Sequence, residues 1–346
     1  MELNELLSPM TTSIICKICG SESTLLYDAL HDRMQTSQAS WSLIRCINLE
    51  CGLIWIDPMP DEIALSTAYK NYYTHSIKTN DSTLRHNYLR SRNSYIRRRF
   101  GYPATEETWL IRAMGNLMAR LPHRRIGMDA TVMWLPCHPK GKLLEIGCGN
   151  GDRLAFFKEL GWEVSGIEPD AEAAQLASAR GLNILTGKLQ SESLPSQSFD
   201  AIVLSHVIEH VQDPNSTIRE CYRLLRPGGR LTILTPNTES LGHHWFGRNW
   251  LHLDAPRHLN LFNSRNLSKV CADQGFIDIA ATTTPRDSNW TIGASLVLQN
   301  GDCYIIGQLP FFAKLFGICM FYFEWLVLLI KHKCGEELLV IARRNI

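Results

Sequence analysis

The chain has 346 residues and carries 35 Lys and Arg against 34 Asp and Glu. This length is sufficient for one large domain plus a smaller one, because single hydrophobic cores stop growing at roughly 250 to 300 residues. The balanced charge excludes a global basic field that would recruit nucleic acid or an anionic membrane, so any basic surface must be local.

The start of the chain predicts its compartment. The first residues, MELNELLSPMTTS, lack the basic region and the long apolar run of a secretory signal, which predicts a cytoplasmic protein. In that reducing compartment the 11 cysteines do not indicate a disulfide framework, and their odd number favours the same interpretation. Cysteines with pair spacing indicate a metal site instead.

The first predicted unit, residues 14–57, is a zinc-ribbon-like module. It contains two cysteine pairs, Cys16 with Cys19 and Cys46 with Cys51. Tetrahedral thiolate coordination of Zn²⁺ needs two tight turns that each present a pair of sulfur atoms. The four cysteines are therefore the predicted ligands of a structural zinc ion. The alternative is a ribbon that has lost its metal and keeps the cysteines as small apolar residues.

The second predicted unit, residues 58–140, is polar and aromatic with a mostly helical pattern, and it is interpreted as a helical lid or linker. Its arginine-rich stretch, Arg85 to Arg99, is interpreted as the solvated face of a helix. A ribbon that binds nucleic acid would be expected to carry a concentrated basic face. We therefore expect no nucleic-acid partner.

At residue 141 apolar strands begin to alternate with amphipathic helices, which predicts a parallel sheet over residues 141–284. A short buried strand leads into a turn with Gly147, Gly149 and Gly151, after which a helix begins. Glycines are required where the backbone must approach a ligand closely. The G-x-G-x-G spacing differs from the dinucleotide fingerprint, so nicotinamide or flavin binding is the weaker alternative. Within the turn, Cys148 is expected to be a small packing residue rather than a nucleophile.

The next predicted strand ends in Glu168, about twenty residues after the glycine turn. An acidic side chain at this strand end is placed to accept both ribose hydroxyls of an adenosine. The alternative is an acid that only supports the start of the following helix.

Four segments, LLEIGCGNG, IEPD, SFDAIVLSHVIEHVQDP and LLRPGGRLTILTPN, follow one another between residues 143 and 237. In this order they resemble the successive motifs of class I S-adenosylmethionine-dependent methyltransferases. The resemblance implies a doubly wound, Rossmann-like α/β sheet with S-adenosylmethionine as cofactor. It also implies the following cofactor-binding residues: Glu145, Gly147, Cys148, Gly149, Gly151, Glu168, Pro169, Leu189, Ser205 and His206.

The same resemblance implies a role for each part of the site. Glu145 and the glycine turn line the methionine part of the cofactor, and Glu168 binds the ribose. Leu189 packs against the adenine. Ser205 and His206 lie beside the sulfonium, at the end of the fourth strand of the sheet.

A competing motif overlaps this region. His206, Glu209 and His210 form the pattern H-x-x-E-H, in which two histidines one helical turn apart bind zinc in some proteases. An apolar strand, FDAIVLS, feeds directly into this turn, and Asp213-Pro214 follows, as in the methyltransferases. We therefore interpret Glu209 and His210 as supports of the next helix and of the active-site wall.

The segment CGLIWIDPMPDEIALSTAYKNYY resembles the one that follows the ribbon in bacterial methyltransferases acting on sugars and other small metabolites. In that subgroup the tyrosines lie on a helix that folds over the substrate cleft. Tyr69, Tyr72 and Tyr73 are therefore candidate substrate contacts, with Tyr72 and Tyr73 also candidate catalytic residues. At helical spacing they could equally be packing residues.

The segment LDAPRHLNLF is similar to the loop that closes the site in this subgroup, which makes His258 the first candidate for a catalytic base and His206 the second. Sugar C-methyltransferases have Tyr-His-Glu-His here, whereas this chain has Ala255 and Arg257 in place of the Tyr and Glu. The resemblance therefore favours O-methylation of a sugar, glycan or related small metabolite. The alternatives are C-methylation of a nucleotide sugar, a ribbon-guided RNA or protein methyltransferase, and a cofactor-binding scaffold without turnover.

Residues 285–335 are predicted to form an apolar insertion before a final core strand at 336–346. Residues 315–330 are the most apolar part, with Glu324 as the single charged residue. This part is shorter than the roughly 20 residues that span a bilayer. The alternatives are a helical hairpin over the core, a homodimer interface, or peripheral contact with the inner face of a membrane, which would suit a lipid-linked acceptor.

Overall fold

A computed structural model of the chain describes residues 14–33, 39–69, 83–138, 141–189, 194–301 and 307–346. Two of the candidate catalytic residues, Tyr72 and Tyr73, lie outside the described residues.

The described residues form two sheets, and the larger one is the centre of the fold. Its strands are β4 (Lys142–Ile146), β5 (Glu163–Glu168), β6 (Asn183–Thr186), β7 (Phe199–Ser205), β8 (Leu225–Pro236), β10 (Phe276–Thr284) and β11 (Glu337–Arg344). They are arranged in the order β10-β11-β8-β7-β4-β5-β6. Strands β4 to β8 pair in parallel, and β11 runs antiparallel to both β8 and β10. The predicted doubly wound, Rossmann-like α/β sheet is confirmed.

The smaller sheet lies in the N-terminal module. It contains β1 (Ser23–His31), β2 (Ser40–Cys46), β3 (Ile54–Asp57) and β9 (Asn260–Leu261), all antiparallel and in that order. Strand β9 comes from far along the chain, after β8. The module is therefore completed by a strand that belongs to the region predicted as the catalytic core.

Helices cover both faces of the large sheet and form the segment before it. They are α1 (Glu62–Tyr69), α2 (Thr83–Phe100), α3 (Trp109–Arg120), α4 (Pro122–Thr131), α5 (Asp152–Glu159), α6 (Ala171–Ala179), α7 (Pro214–Leu224), α8 (Leu241–Phe246), α9 (Ser264–Asp273), α10 (Ser288–Gln299) and α11 (Phe311–Leu328). Short polar side chains start several of them: Asp170 caps α6, and Asn263 forms a capping box with Asn266 at α9.

The central strands are buried on both faces, which explains their nearly continuous apolar sequence. Leu144 and Ile202 belong to one core cluster, whereas Leu143 and Val203 belong to the cluster on the opposite face. The first cluster also contains three of the paired cysteines and Trp55 of β3. The N-terminal module therefore packs directly on the large sheet and shares its core.

The strand order reverses beside β4. The chain proceeds from β4 outward to β5 and β6, returns to β7 on the other side of β4, and continues to β8. Ligands of doubly wound sheets bind in the crevice at the carboxyl ends of the strands where the order reverses. The residues that follow β4 and β7 therefore form the expected binding site.

In the described part of the chain, one helix is long and apolar enough to cross a membrane by length and composition alone. This helix is α11, with a mean hydropathy of 1.7 and 22% of that stretch buried.

Candidate active site

The glycine turn after β4 leaves open space at the crevice. Gly147 and Gly149 have φ angles of +68° and +54°, a backbone conformation that residues with a Cβ atom rarely adopt. A Cβ on Gly147 would lie 2.5 Å from Val207 Cγ2, whereas a Cβ on Gly149 would meet no atom within 4 Å. The turn is therefore closely packed at its start and open at its middle, where a ligand can approach the backbone.

Glu168 is held beside this turn by backbone N–H groups. Its Oε2 accepts a hydrogen bond from Gly149 N at 2.7 Å, and its Oε1 accepts one from Asp170 N at 2.9 Å. The side chain is buried at the end of β5. Because a carboxylate oxygen can accept more than one hydrogen bond, this fixed carboxylate keeps acceptor capacity for two ribose hydroxyls.

Glu145 and Ser205 are linked by one arginine. Arg153 Nη1 donates to Glu145 Oε1 at 2.7 Å, and its Nη2 donates to Ser205 Oγ at 3.1 Å. Burial raises the pKa of Glu145. Its Oε2 is buried and accepts no hydrogen bond from the described residues. A free buried carboxylate oxygen next to the glycine turn fits the ammonium group of a bound amino acid, such as the methionine part of S-adenosylmethionine.

The remaining predicted cofactor residues lie around this crevice. Cys148 is buried, and its Sγ would be 2.6 Å from a Cβ on Gly166 of β5, so the side chain packs against the sheet. Pro169 follows Glu168 directly. Leu189 is partly buried and packs against the same cluster as Val207.

Four histidines meet beyond the end of β7. The rings of His206 and His252 are stacked with centroids 6.3 Å apart, as are those of His252 and His258. The ring of His210 meets His258 edge-on at 4.8 Å. His206 follows β7, His210 ends a single 3-10 turn at Ile208–His210, and the other two come from the loop before β9.

His206 lies between two buried carboxylates. Its Nε2 is 2.8 Å from Glu337 Oε1, and its Nδ1 is 3.2 Å from Glu209 Oε1. Burial would lower the pKa of His206, but hydrogen bonds to these carboxylates raise it to about 10. Burial would raise the pKa of Glu209, but the imidazolium lowers it to about 2. His206 is therefore positively charged at neutral pH.

Glu337 and Arg286 were not predicted from the sequence. Arg286 Nη1 donates to Glu337 Oε1 at 2.8 Å. Glu337 begins the final strand, β11, which pairs with β8. Because the final strand was expected to return to the sheet, its first residue could have been placed near the crevice. No local pattern marks Arg286.

His210 and His258 are oriented by backbone carbonyls. Nδ1 of His258 lies 2.6 Å from the carbonyl oxygen of His252, and Nδ1 of His210 lies 3.0 Å from that of Arg257. An imidazole that donates from Nδ1 and is neutral carries its lone pair on Nε2. Burial lowers the pKa of His210 to about 4, so this ring is neutral at pH 7. Tyr69 Oη also contacts His210 Nδ1, at 2.8 Å, which places the described candidate tyrosine at the cluster.

Glu209, His210 and His258 form a group that could hold a metal ion, since one ligand atom from each lies within 4.8 Å of the others. His206 is not part of this group, because its ring is bound to the carboxylates of Glu209 and Glu337. The paired histidines of the zinc-protease pattern therefore do not face a common site.

Arg257 fixes the loop that carries His258. Its fully buried guanidinium donates to Asp254 Oδ1 at 2.6 Å and to Asp32 Oδ1 at 2.8 Å, and it reaches the carbonyl oxygen of Ala68 at 3.3 Å. These contacts join the loop to the end of β1 and to α1. Arg257, which stands where the resembling sugar C-methyltransferases have a Glu, therefore holds this loop in place through buried ion pairs. Nothing in the sequence spacing predicted Asp32 as its partner.

The four paired cysteines of the N-terminal module converge. Their Sγ atoms all lie within 4.8 Å of one another, with 3.7 Å between Cys16 and Cys51 and 3.4 Å between Cys19 and Cys46. Sulfur atoms around a tetrahedral zinc ion lie about 3.8 Å apart, because the Zn–S distance is about 2.3 Å. The donor set and its spacing therefore fit Zn²⁺.

The cysteine module is connected to the loop that carries His258. In the β3–β9 pair, Trp55 is opposite Asn260, and Ile56 N donates to the carbonyl oxygen of Leu259 at 3.2 Å. The carbonyl oxygen of Cys51 accepts hydrogen bonds from the side-chain amides of Asn263 and Asn266, both at 2.9 Å. The residues immediately after His258 are thus part of the module's sheet.

A cavity of about 360 Å³ lies between α4, the end of β10 and the C-terminal half of α11. Its lining includes Arg125, Thr283, Trp325 and Leu339 and contains none of the predicted cofactor or catalytic residues. It is therefore separate from the crevice.

Comparison with known proteins identifies similar domains for the part of the chain that contains the crevice. Residues 112–281 match the family model of a methyltransferase domain. A protein of Mycolicibacterium smegmatis named "Probable S-adenosylmethionine-dependent methyltransferase" is 32% identical over 165 residues, which cover 47% of this chain and 55% of that protein. A ubiquinone biosynthesis O-methyltransferase of Pseudomonas fluorescens is 36% identical over 106 residues, covering 28% of this chain and 44% of that protein.

Among solved structures, an S-adenosylmethionine-dependent methyltransferase from Thermotoga maritima aligns with 20% identity and a TM-score of 0.44, covering 67% of this chain and 94% of that one. The chain spans about half the length of the two curated relatives. The matches to curated relatives therefore concern only part of this chain and part of each relative.

Proposed function

We propose that this chain, which carries a class I S-adenosylmethionine-dependent methyltransferase domain, methylates a hydroxyl group of a sugar, glycan or related small metabolite. The observation that carries this proposal is the position of His258, a buried imidazole held by its Nδ1 in the histidine cluster beyond the end of β7. None of the described residues forms a hydrogen bond with its Nε2, the nitrogen that would take a proton in the proposed reaction.

The crevice fits the cofactor in three places. Gly149 leaves open space at the turn. The Oε2 atom of Glu145 is buried and accepts no hydrogen bond from the described residues, which would suit an ammonium group, and Glu168 is held by two backbone N–H groups with acceptor capacity for a ribose. When bound, S-adenosylmethionine supplies an activated methyl group on a sulfonium. The protein therefore has to position the acceptor in line with that methyl group and exclude water.

His258 is the proposed general base. As the acceptor oxygen bonds to the methyl carbon, the bond from that carbon to the sulfonium sulfur would break and leave a neutral thioether, and His258 Nε2 would take the hydroxyl proton. His206 is less suited to this role, because its pKa of about 10 keeps it protonated at neutral pH. As an imidazolium it instead balances the charges of Glu209 and Glu337 next to the reacting groups.

O-methylation is favoured over the alternatives by two observations. The loop before β9 has Arg257 in place of the Glu found in the resembling sugar C-methyltransferases, and this arginine is fully occupied by Asp32 and Asp254. The Pseudomonas relatives are named as O-methyltransferases, which supports a hydroxyl acceptor. The alternatives are C-methylation of a nucleotide sugar and methylation of RNA or protein. The proposal that the acceptor is a sugar or small metabolite in the cytoplasm is based on the resemblance of the segments around Tyr69 and His258.

We also propose that Cys16, Cys19, Cys46 and Cys51 bind one structural zinc ion. The support is the convergence of their Sγ atoms and the burial of all but Cys19. Zinc would fix the turn before β1 and the turn between β2 and β3 and, through the β3–β9 pair, the loop of His258.

The proposal is tested by transfer of a labelled methyl group from S-adenosylmethionine into fractionated cell extract, followed by mass spectrometry of the labelled product. A small-molecule or glycan product with a methyl ether supports it. A new carbon–carbon bond would favour the C-methyltransferase alternative, and label in RNA or protein would favour a ribbon-guided enzyme. Cofactor binding without any labelled product would favour a scaffold.

A further inference from the structure

Helix α11 is fixed to the protein by one narrow stripe. Its buried residues are Ala313, Gly317, Phe321 and Glu324. The small residues allow the backbones of α10 and α11 to touch: a Cβ on Gly317 would lie 1.9 Å from the carbonyl oxygen of Asn289. The carboxylate of Glu324 accepts a hydrogen bond from Glu336 N at 2.6 Å, directly before β11. This stripe uses only one side of the helix.

The opposite side of α11 is apolar and exposed. Eight large side chains, six on α11 and two directly after it, have relative exposures between 47% and 83%: Phe311, Phe312, Leu315, Ile318, Phe323, Leu326, Leu329 and Ile330. Contiguous apolar surfaces of this kind are uncommon on soluble monomers and mark contact with a membrane or a partner. These side chains do not pack in the core, so the exposed face of α11 is a candidate contact surface.

Exposed basic residues lie on the helix next to this face and at both ends of α11. Helix α4 adjoins α11, since His123 Nδ1 lies 2.8 Å from Tyr322 Oη. The basic residues are Arg124 and Arg125 on α4, Lys314 near the start of α11, and Lys331 and Lys333 after its end. The acidic residues of α4 and α11, Asp129 and Glu324, are buried. An apolar face beside basic residues is complementary to a bilayer surface that contains anionic lipids.

The helix is placed to lie along a membrane rather than to cross it. Its 18 residues span about 27 Å, slightly less than the roughly 30 Å of a hydrocarbon core. Crossing would also remove Glu324 from its buried contact with the residue that precedes β11, a strand paired on both sides. An in-plane helix keeps these contacts.

A second copy of the chain fits this face less well. A two-fold symmetric contact through α11 would place the basic residues of one copy near the same residues of the other, and like charges repel. We propose that the exposed face of α11, together with the basic residues around it, docks on the surface of a bilayer containing anionic lipids. This inference does not depend on the methyl-transfer reaction.

The test uses the full chain and flotation with vesicles of phosphatidylcholine, with or without phosphatidylglycerol. We expect binding to the mixed vesicles, weaker binding at high salt, and little binding to phosphatidylcholine alone. The double variant Leu326→Glu, Leu329→Glu should reduce binding about tenfold or more, because it places charge on the apolar face. Ile63→Glu is the matched control, since Ile63 is 77% exposed on α1 and should bind as the wild type does.

A second variant tests the charges separately. Lys331→Glu with Lys333→Glu should weaken binding to anionic vesicles and reduce its salt dependence, while the melting temperature shows that both variants are folded. Absence of binding to the mixed vesicles would overturn the proposal, as would equal binding by the Leu326→Glu, Leu329→Glu variant. A dimer in sedimentation that dissociates in that variant, without vesicle binding by the wild type, would instead identify α11 as an interface between copies.

Discussion

Trp55 and Asn260 lie opposite each other in the antiparallel pair of β3 and β9, so the cysteine module holds the strand that begins two residues after His258. Because sheet pairing fixes the positions of both strands, a structural change in the module should shift β9 and, with it, the position of His258 in the histidine cluster. The proposed zinc site and the proposed base are therefore parts of one structural unit.

We first predict that zinc supports both stability and turnover. Cys16→Ser or Cys19→Ser should lower the zinc content from about one ion per chain, lower the melting temperature and lower kcat, since structural zinc contributes directly to folding. Elemental analysis, calorimetry and methyl transfer check the three effects. Cys319→Ser is the control, because Cys319 is exposed on α11 and far along the chain from the cluster. A metal-free wild type of equal stability would contradict the prediction.

The second prediction concerns Glu168, the proposed ribose contact. Glu168→Ala should weaken S-adenosylmethionine binding by about 1 to 3 kcal/mol, because two hydroxyl groups lose a charged acceptor. Isothermal titration calorimetry measures this directly. Glu163→Ala, at the exposed start of the same strand, should bind with wild-type affinity. Equal affinities for both variants would remove Glu168 from the site.

Arg257 and Asp32 provide the third prediction. Arg257→Met should lower the free energy of unfolding by about 3 to 5 kcal/mol, because it leaves the carboxylates of Asp32 and Asp254 without their buried partner. Chemical denaturation measures the loss. Arg226→Met is a suitable comparison, since its ion pair with Asp200 is partly exposed and should contribute less. Similar losses in both variants would show that Arg257 is not a clamp.

The glycine turn and the cluster of four cysteines could be predicted from sequence because their signals are local. Gly147 and Gly149 lie in one short turn, and each cysteine pair lies in one knuckle. Glu168 follows from its distance to the turn along the chain. These features need only a few neighbouring residues to be recognised. The strand order of the large sheet then brings the glycine turn and Glu168 to one crevice.

Other features could not be predicted because they depend on long-range contacts without a periodic pattern. The β3–β9 pair joins segments about two hundred residues apart through only two residues of β9. The ion pair of Arg257 with Asp32 likewise links distant loops. In α11 the apolar pattern runs all round the helix, so hydrophobicity alone did not show that the small residues Ala313 and Gly317 mark its buried side.

The fourth prediction is a pH dependence of stability through His206. Its pKa is raised to about 10 in the folded protein, above the roughly 6.5 of an unfolded histidine. Its contribution is therefore complete below about pH 6.5 and is lost as pH rises through about 10. His206→Gln should be less stable than the wild type near pH 7, and the difference should shrink toward pH 10. A difference that stays constant over this window would contradict the assignment.

The most direct test of the account is the rate of methyl transfer by His258→Ala at saturating S-adenosylmethionine, with cofactor affinity measured on the same protein. A general base predicts a loss of about 10² to 10⁴ in kcat with nearly unchanged cofactor affinity. His244→Ala, which removes an exposed histidine of α8, should keep the wild-type rate. Full kcat in His258→Ala, with the melting temperature of the wild type, would contradict the proposed role of His258.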